Sequence, residues 1–342
     1  MKVLVTGTDG YIGVVLAAVL RERWHEVTGL DTGFYRSGWL YDEVGARRAD
    51  VVKDIRQVSR EDLQGFDAVV HLAELSNDPL GQHNPELTYG INHRGSVRLA
   101  RLCKEAGVGR FVYTSSCSVY GVGDDGFRTE ESETNPQTAY ACCKVLVERD
   151  VSALADDDFS PTFLRNATAF GASPRMRFDL VLNNLAGLAW TTREIRLTSD
   201  GTPWRPLVHV RDICDAIACV LAAPREVVHG QIFNVGDSRQ NYRVREIAEI
   251  VSETFPDCAL TIGRNDGDNR SYRVSFDKIH ERLPDFQCRR DAATGARQLL
   301  DVFTRIDMSP EVFQAPSYTR LKQLEHLLTT QQIDTNLYWR QQ

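Results

Sequence analysis

Three glycines, Gly7, Gly10 and Gly13, stand between an apolar strand (Lys2 to Thr6) and an apolar stretch with helical character (Ile12 to Arg21). Glycine permits a tight turn and lets backbone amides approach a pyrophosphate, while the last glycine lets the helix pack close to the strand. The N-terminus of the helix favours phosphate electrostatically. Gly7, Gly10, Tyr11, Ile12 and Gly13 are therefore candidate dinucleotide-binding residues. Asp31 closes a second strand about one strand-helix unit later. Its carboxylate suits the hydroxyls of an adenosine ribose and would repel a 2′-phosphate, which favours NAD over NADP. Arg36 nearby is the residue that could offset that repulsion. Asp54 and Ile55 follow a third short strand (Asp50 to Lys53) and are candidates for the adenine end, although a surface turn has the same composition.

Further strands are expected at Ala68 to Ala73, Phe111 to Ser115, Pro161 to Arg165 and Ile232 to Val235. Helices are expected between them, at Gly95 to Ala106 and Ala139 to Leu154. That alternation predicts an α/β fold: a Rossmann-type, doubly wound parallel sheet with helices on both faces. After Gly171 the rhythm becomes irregular, with helices expected near 179–189, 210–221, 243–253 and 291–306 and a leucine stripe at Leu321, Leu324, Leu327 and Leu328. The expected division is a dinucleotide-binding part at 1–165 with a return segment at 207–235. A smaller, discontinuous C-terminal substrate-binding part is expected at 166–206 and 236–342. The tail beyond 307 is left to cover the substrate part or to pack on another subunit.

The formal net charge of -7 argues against a nucleic-acid partner, and the short Arg289-Arg290 cluster fits a solvated surface. No apolar run reaches the roughly 20 residues that span a membrane, and the start of the chain does not resemble a secretory leader. Eight cysteines without a repeated framework fit reduced thiols and a cytoplasmic location, with no metal site expected at Cys142-Cys143.

Tyr140 and Lys144 are four residues apart and share a helix face. The spacing is common in ordinary packed helices, but here it follows a dinucleotide-binding half and a strand that ends at Ser116. An ammonium ion beside a phenol favours the phenolate and eases proton transfer. Tyr140 can then take a hydroxyl proton as the carbon gives up hydride, with Ser116 hydrogen-bonded to the same oxygen.

With these pieces in place, the chain resembles the extended short-chain dehydrogenase/reductase family, and within it the nucleotide-sugar epimerases and dehydratases. The matching segments are TGTDGYIG (6–13), HLAELSNDP (71–79), TSSCSVYG (114–121), YACCK (140–144) and RPLVHVRD (205–212). The resemblance implies catalytic roles for Ser116, Tyr140 and Lys144 and a cofactor site that includes Leu72 and Ala73. It places Ser76 at the nicotinamide or sugar edge, Cys117 and Ser118 at the sugar, and Asn183, Arg205 and Arg273 at the nucleotide diphosphate, with Arg270 a rival to Arg273. It also implies a structural role for Asn92 and a homodimer. His209 is expected to be packed and Asp212 to cap a helix.

The pattern departs in two places. Dehydratases of this family generally carry an Asp-Glu pair after the serine, where this chain has Cys117 and Ser118. In LRNATAFG (164–171), Asn166 and Thr168 are smaller polar choices than those of many relatives. The expected function is accordingly an NAD-dependent nucleotide-sugar epimerase acting at C4 through a transient keto-sugar. A net dehydrogenase or ketoreductase is the alternative, followed by a variant dehydratase using Cys117 and a non-catalytic NAD-binding protein.

Overall fold

The computed structural model describes residues 1–76, 84–122, 126–265 and 271–340. Seven strands form one sheet: β1 (Lys2–Thr6), β2 (Glu26–Asp31), β3 (Val51–Val52), β4 (Ala68–His71), β5 (Arg110–Ser116), β6 (Ser160–Asn166) and β7 (Ile232–Val235). Their order is β7-β6-β5-β4-β1-β2-β3, and every neighbouring pair is parallel. β4 and β6 are buried along their whole length; β4 reads as the apolar run Ala-Val-Val before His71, whereas β6 also buries Ser160, Thr162, Arg165 and Asn166.

Eight helices of ten or more residues are present among the described residues: α1 (Tyr11–Glu22), α2 (Ser96–Glu105), α3 (Ala139–Ser152), α4 (Val181–Thr192), α5 (Val210–Ala222), α6 (Val244–Thr254), α7 (Ala292–Ile306) and α8 (Arg320–Thr329). On one face of the sheet, Leu16, Val19 and Leu20 of α1 join Ile213, Ile217 and Leu221 of α5 over Val3, Val5 and Val112. On the other, Val97 and Leu99 of α2 and Val147 and Val151 of α3 cover Leu4, Val69 and Phe111. A third apolar cluster joins Leu182 and Leu185 of α4, Ile247 and Val251 of α6, and Leu299 and Phe303 of α7. Strand 204–209 lies beside it, parallel to 168–170 and antiparallel to 241–243. Residues 207–235 thus contribute α5 and the edge strand β7.

The fold differs from expectation in three places. The helix expected from Gly95 is preceded by a π-helical turn, Tyr89–Gly95. Within that turn the buried Asn92 accepts from Leu75 N (2.9 Å) and donates to Leu75 O (3.0 Å), fixing the loop after β4. The cap of α5 is His209, whose Nδ1 accepts from Arg211 N (3.1 Å), and not Asp212. Asp212 is buried and paired with Arg290 at 2.6 Å, so Arg290, though still 30% exposed, is tied to a buried carboxylate, while Arg289 is exposed as expected. The tail provides the third difference. It divides: Met308, Phe313 and Tyr318 pack on the third cluster, as the tail was expected to cover that part, whereas residues 320–340 pack on the loops after β2 and β3, because the leucine stripe of α8 enters the same cluster as Leu30, Phe34 and Ile55.

Candidate active site

The order of the sheet reverses between β1 and β4, and ligands of such sheets bind where neighbouring connections diverge. A cleft of about 1130 Å³ opens there, at the carboxyl ends of the strands. Gly7, Gly10, Tyr11, Ile12 and Gly13 form one wall. Gly7 has φ +81°, and a Cβ on Gly13 would stand 2.1 Å from Gly7 O, so both positions require glycine. Tyr11 faces the cleft, but its hydroxyl is committed to Gly171 O (2.6 Å).

Asp31 lies at the cleft, where its two oxygens accept from Asp9 N (3.1 Å) and Gly33 N (2.7 Å). Burial, helped by Asp9, pushes its pKa up to about 6. Asp54 and Ile55 also line the cleft, although Arg56 already holds the Asp54 carboxylate at 2.7 Å. Leu72, Ala73 and Ser76 continue the wall from β4.

Ser116 ends β5, and Tyr140 and Lys144 project from the first turns of α3 onto the same cleft. Lys144 Nζ lies 5.2 Å from the centre of the Tyr140 ring and donates to Thr114 O (2.5 Å). It also meets Glu74 Oε2 at 2.5 Å, and Tyr113 donates to the other oxygen of Glu74 at 2.5 Å. Burial pushes the Glu74 pKa up against the pull of Lys144. For Lys144, burial alone would lower the pKa, but Glu74 and Tyr140 together outweigh it and the ammonium form is reinforced. One turn further along α3, Glu148 binds Arg165 (2.7 Å) and accepts from Ser115 (2.5 Å), and Arg165 reaches Tyr120 (3.0 Å). This buried network clamps α3 to β5 and β6 behind the site.

Several expected substrate residues are placed differently. Cys117 is not a cleft residue: its thiol points into the core, donates to Arg165 O (3.2 Å) and is pushed well up by burial. Ser118 does line the cleft. Asn183 is turned inward, accepting from Gly171 N (3.0 Å) and donating to Arg177 O (3.1 Å), and it is Asn184 that reaches the cleft. Arg205 lines the cleft beside Tyr272. Arg273 stacks over Phe127 (4.7 Å) and Trp204 (5.3 Å) and does not line it, and Arg270 lies outside the described residues.

Sequence reasoning missed Glu74, Arg177, Asn184 and Arg320, all of which line the cleft. A charged residue in the apolar run after β4 was the available sign for Glu74. Arg177 carried none; it binds Asp179 (2.9 Å) and reaches Ser76 (3.3 Å). Among the described residues no group of three or more His, Cys, Asp or Glu could hold a metal, and no helix is long and apolar enough to cross a membrane.

The model of the NAD dependent epimerase/dehydratase family matches residues 3–236. This chain belongs to that family. Relatives within the epimerase/dehydratase family include the UDP-glucose 4-epimerase of Corynebacterium glutamicum, 30% identical over 300 residues that cover 83% of this chain and 90% of that protein. The UDP-glucose 4-epimerase of Mycolicibacterium smegmatis is 32% identical over 248 residues, 69% of this chain and 77% of that one. A solved structure of MoeE5 in complex with UDP-glucose and NAD matches with a TM-score of 0.75 and 27% identity, covering 90% of this chain and all of that one.

The cofactor of the family is NAD, and the cleft fits it. The glycine turn and Asp31 stand at one end, while buried polar atoms of Ser118 (Oγ), Asn166 (Oδ1) and Arg320 (Nε and Nη1) have no hydrogen-bond partner among the described residues. Donors and acceptors buried in this way call for a polar ligand.

Proposed function

We propose that this chain is a nucleotide-sugar epimerase that inverts C4 of a nucleotide diphosphate sugar through a transient keto-sugar. What carries the reading is one cleft that joins the glycine turn to Ser116, Tyr140 and Lys144 and receives no carboxylate from positions 117 and 118. Glu74 does enter the cleft wall, but its carboxylate is engaged by Lys144 and Tyr113.

NAD, when bound, supplies the site that takes up hydride and gives it back, so the net reaction needs no second redox partner. Tyr140 Oη removes the proton of the C4 hydroxyl, and Ser116 Oγ hydrogen-bonds the same oxygen. Lys144 favours the phenolate that this transfer needs. After the sugar turns, Tyr140 returns the proton to the alkoxide. Arg205 and Asn184, from strand 204–209 and α4, line the same cleft and would hold the diphosphate, a task suited to a guanidinium fork. The relatives named UDP-glucose 4-epimerase favour uridine as the base. A homodimer belongs to the same reading, and measurement of molecular mass in solution tests it.

Incubation with a panel of nucleotide diphosphate sugars, uridine-linked first, should yield a C4 stereoisomer while total NADH stays constant. A stoichiometric change in free cofactor would replace the proposal with a net dehydrogenase, and loss of water with a dehydratase.

A further inference from the structure

The C-terminal segment returns to the cofactor half of the molecule and brings a cation to it. Leu324, Leu327, Ile333 and Leu337 pack with Phe34 and Ile55. Gln323 donates to Phe34 O (3.0 Å), Trp339 Nε1 donates to Thr32 O (2.6 Å), and the Arg56 guanidinium lies 3.8 Å over the Tyr338 ring. The loop after β2 is thus gripped by both ends of the segment.

Arg320, the first residue of α8, is 7% exposed and lines the cleft. Its guanidinium lies 3.8 Å over the Tyr35 ring, and its Nη2 is 3.6 Å from the point where a Cβ on Gly10 would stand. It therefore faces the middle glycine of the dinucleotide turn. Its Nε and Nη1 are buried without a hydrogen-bond partner among the described residues. Two neighbouring arginines are better provided for: both terminal nitrogens of Arg175 are used, on Gly38 O (2.7 Å) and Ser317 O, leaving only its Nε without a partner among the described residues, and Arg177 binds Asp179. A guanidinium buried with donors unspent is costly, and it is sustained where a ligand anion completes it.

We propose that Arg320 is a dinucleotide-binding residue whose guanidinium pairs with the pyrophosphate cradled by Gly7, Gly10 and Gly13, so that residues 315–340 act as a strap retaining the cofactor. The planar fork matches phosphate oxygens, and the amide end of α1 supplies donors on the opposite side. The inference rests on the dinucleotide cleft and is independent of the sugar.

The test uses full-length protein, as purified and after removal of bound nucleotide, with ADP and adenosine as calorimetric probes. Arg320→Gln should bind ADP at least about tenfold more weakly, the scale of a lost charge-assisted hydrogen bond. Adenosine, which lacks the diphosphate, should bind as before, and less NAD should co-purify. The melting temperature of the nucleotide-free variant should be unchanged or higher, because an unpaired buried cation has been removed. ADP affinity equal to wild type, or ADP and adenosine weakened by the same factor, would overturn the proposal and leave Arg320 a packing residue. If Arg320→Gln does not fold, Arg320→Lys decides: it keeps the charge, loses the fork, and must still weaken ADP more than adenosine.

Discussion

Lys144 Nζ stands 2.5 Å from Glu74 Oε2, and both side chains are almost wholly buried. The carboxylate shares the cation that Tyr140 would otherwise have to itself. Tyr140, Cys143 and Glu148 of α3, Tyr113 of β5 and His71 of β4 are the other titratable groups facing this pair. Glu74→Gln should move the acid limb of the pH–rate profile down by about one unit, since the full ammonium charge then favours the phenolate. It should also cost about 3 kcal/mol in urea unfolding, because a buried pair is broken. Lost stability with an unmoved limb would mean that Glu74 only braces the fold.

Tyr140→Phe removes the phenol and keeps the ring. Turnover should fall by about 10²–10⁴-fold, the range of a positioned acid-base group, while NAD still co-purifies. Turnover by this variant at the wild-type rate would remove Tyr140 from the mechanism.

Asp31 titrates near 6 in the nucleotide-free fold, chiefly because it is buried and sits beside Asp9. The ribose hydroxyls require its carboxylate form, so protonation competes with NAD. Affinity measured by calorimetry should be flat above pH 7 and weaken by about tenfold per unit below 6. Asp31→Asn should bind NAD more weakly at pH 8 and lose this dependence. For stability the sign is opposite: a carboxyl raised from 3.8 to about 6 stabilises the nucleotide-free fold at low pH, an increment lost as pH rises through 6.

Cys117 occupies a position where dehydratase chemistry would need an acid, yet its thiol is buried and bonded to Arg165 O. Cys117→Ala should leave turnover unchanged and cost about 1 kcal/mol in thermal or urea unfolding. Loss of turnover in a protein that remains folded would return this residue to the reacting centre.

Burial holds His209 neutral, with its pKa lowered to about 4, and His71 lower still, at about 3. An unfolded chain takes up those protons near 6.5 and the native chain does not. Stability is therefore fully present above 6.5 and declines as pH falls toward 4. For His209 the loss between pH 7 and 4.5 is on the order of 2 kcal/mol. His209→Asn keeps a cap for α5, and its urea midpoint should fall less than wild type over that interval.

The chain itself determined the features that are local along it. Strand and helix alternate with their own periods, the glycine turn needs only residues 7 to 13, and Tyr140 and Lys144 meet through one turn of one helix. Tertiary packing decided the rest. Asn183 and Asn184 differ by about 100° around α4, and only the packing of that helix determines which of them faces the cleft. Glu74 lies 70 residues from Lys144 and Arg320 lies 310 from Gly10, so no spacing rule joins them. They meet because β4, α3 and the returning tail are carried to the same edge of one sheet, and a charge buried there takes its properties from neighbours that the linear order does not reveal.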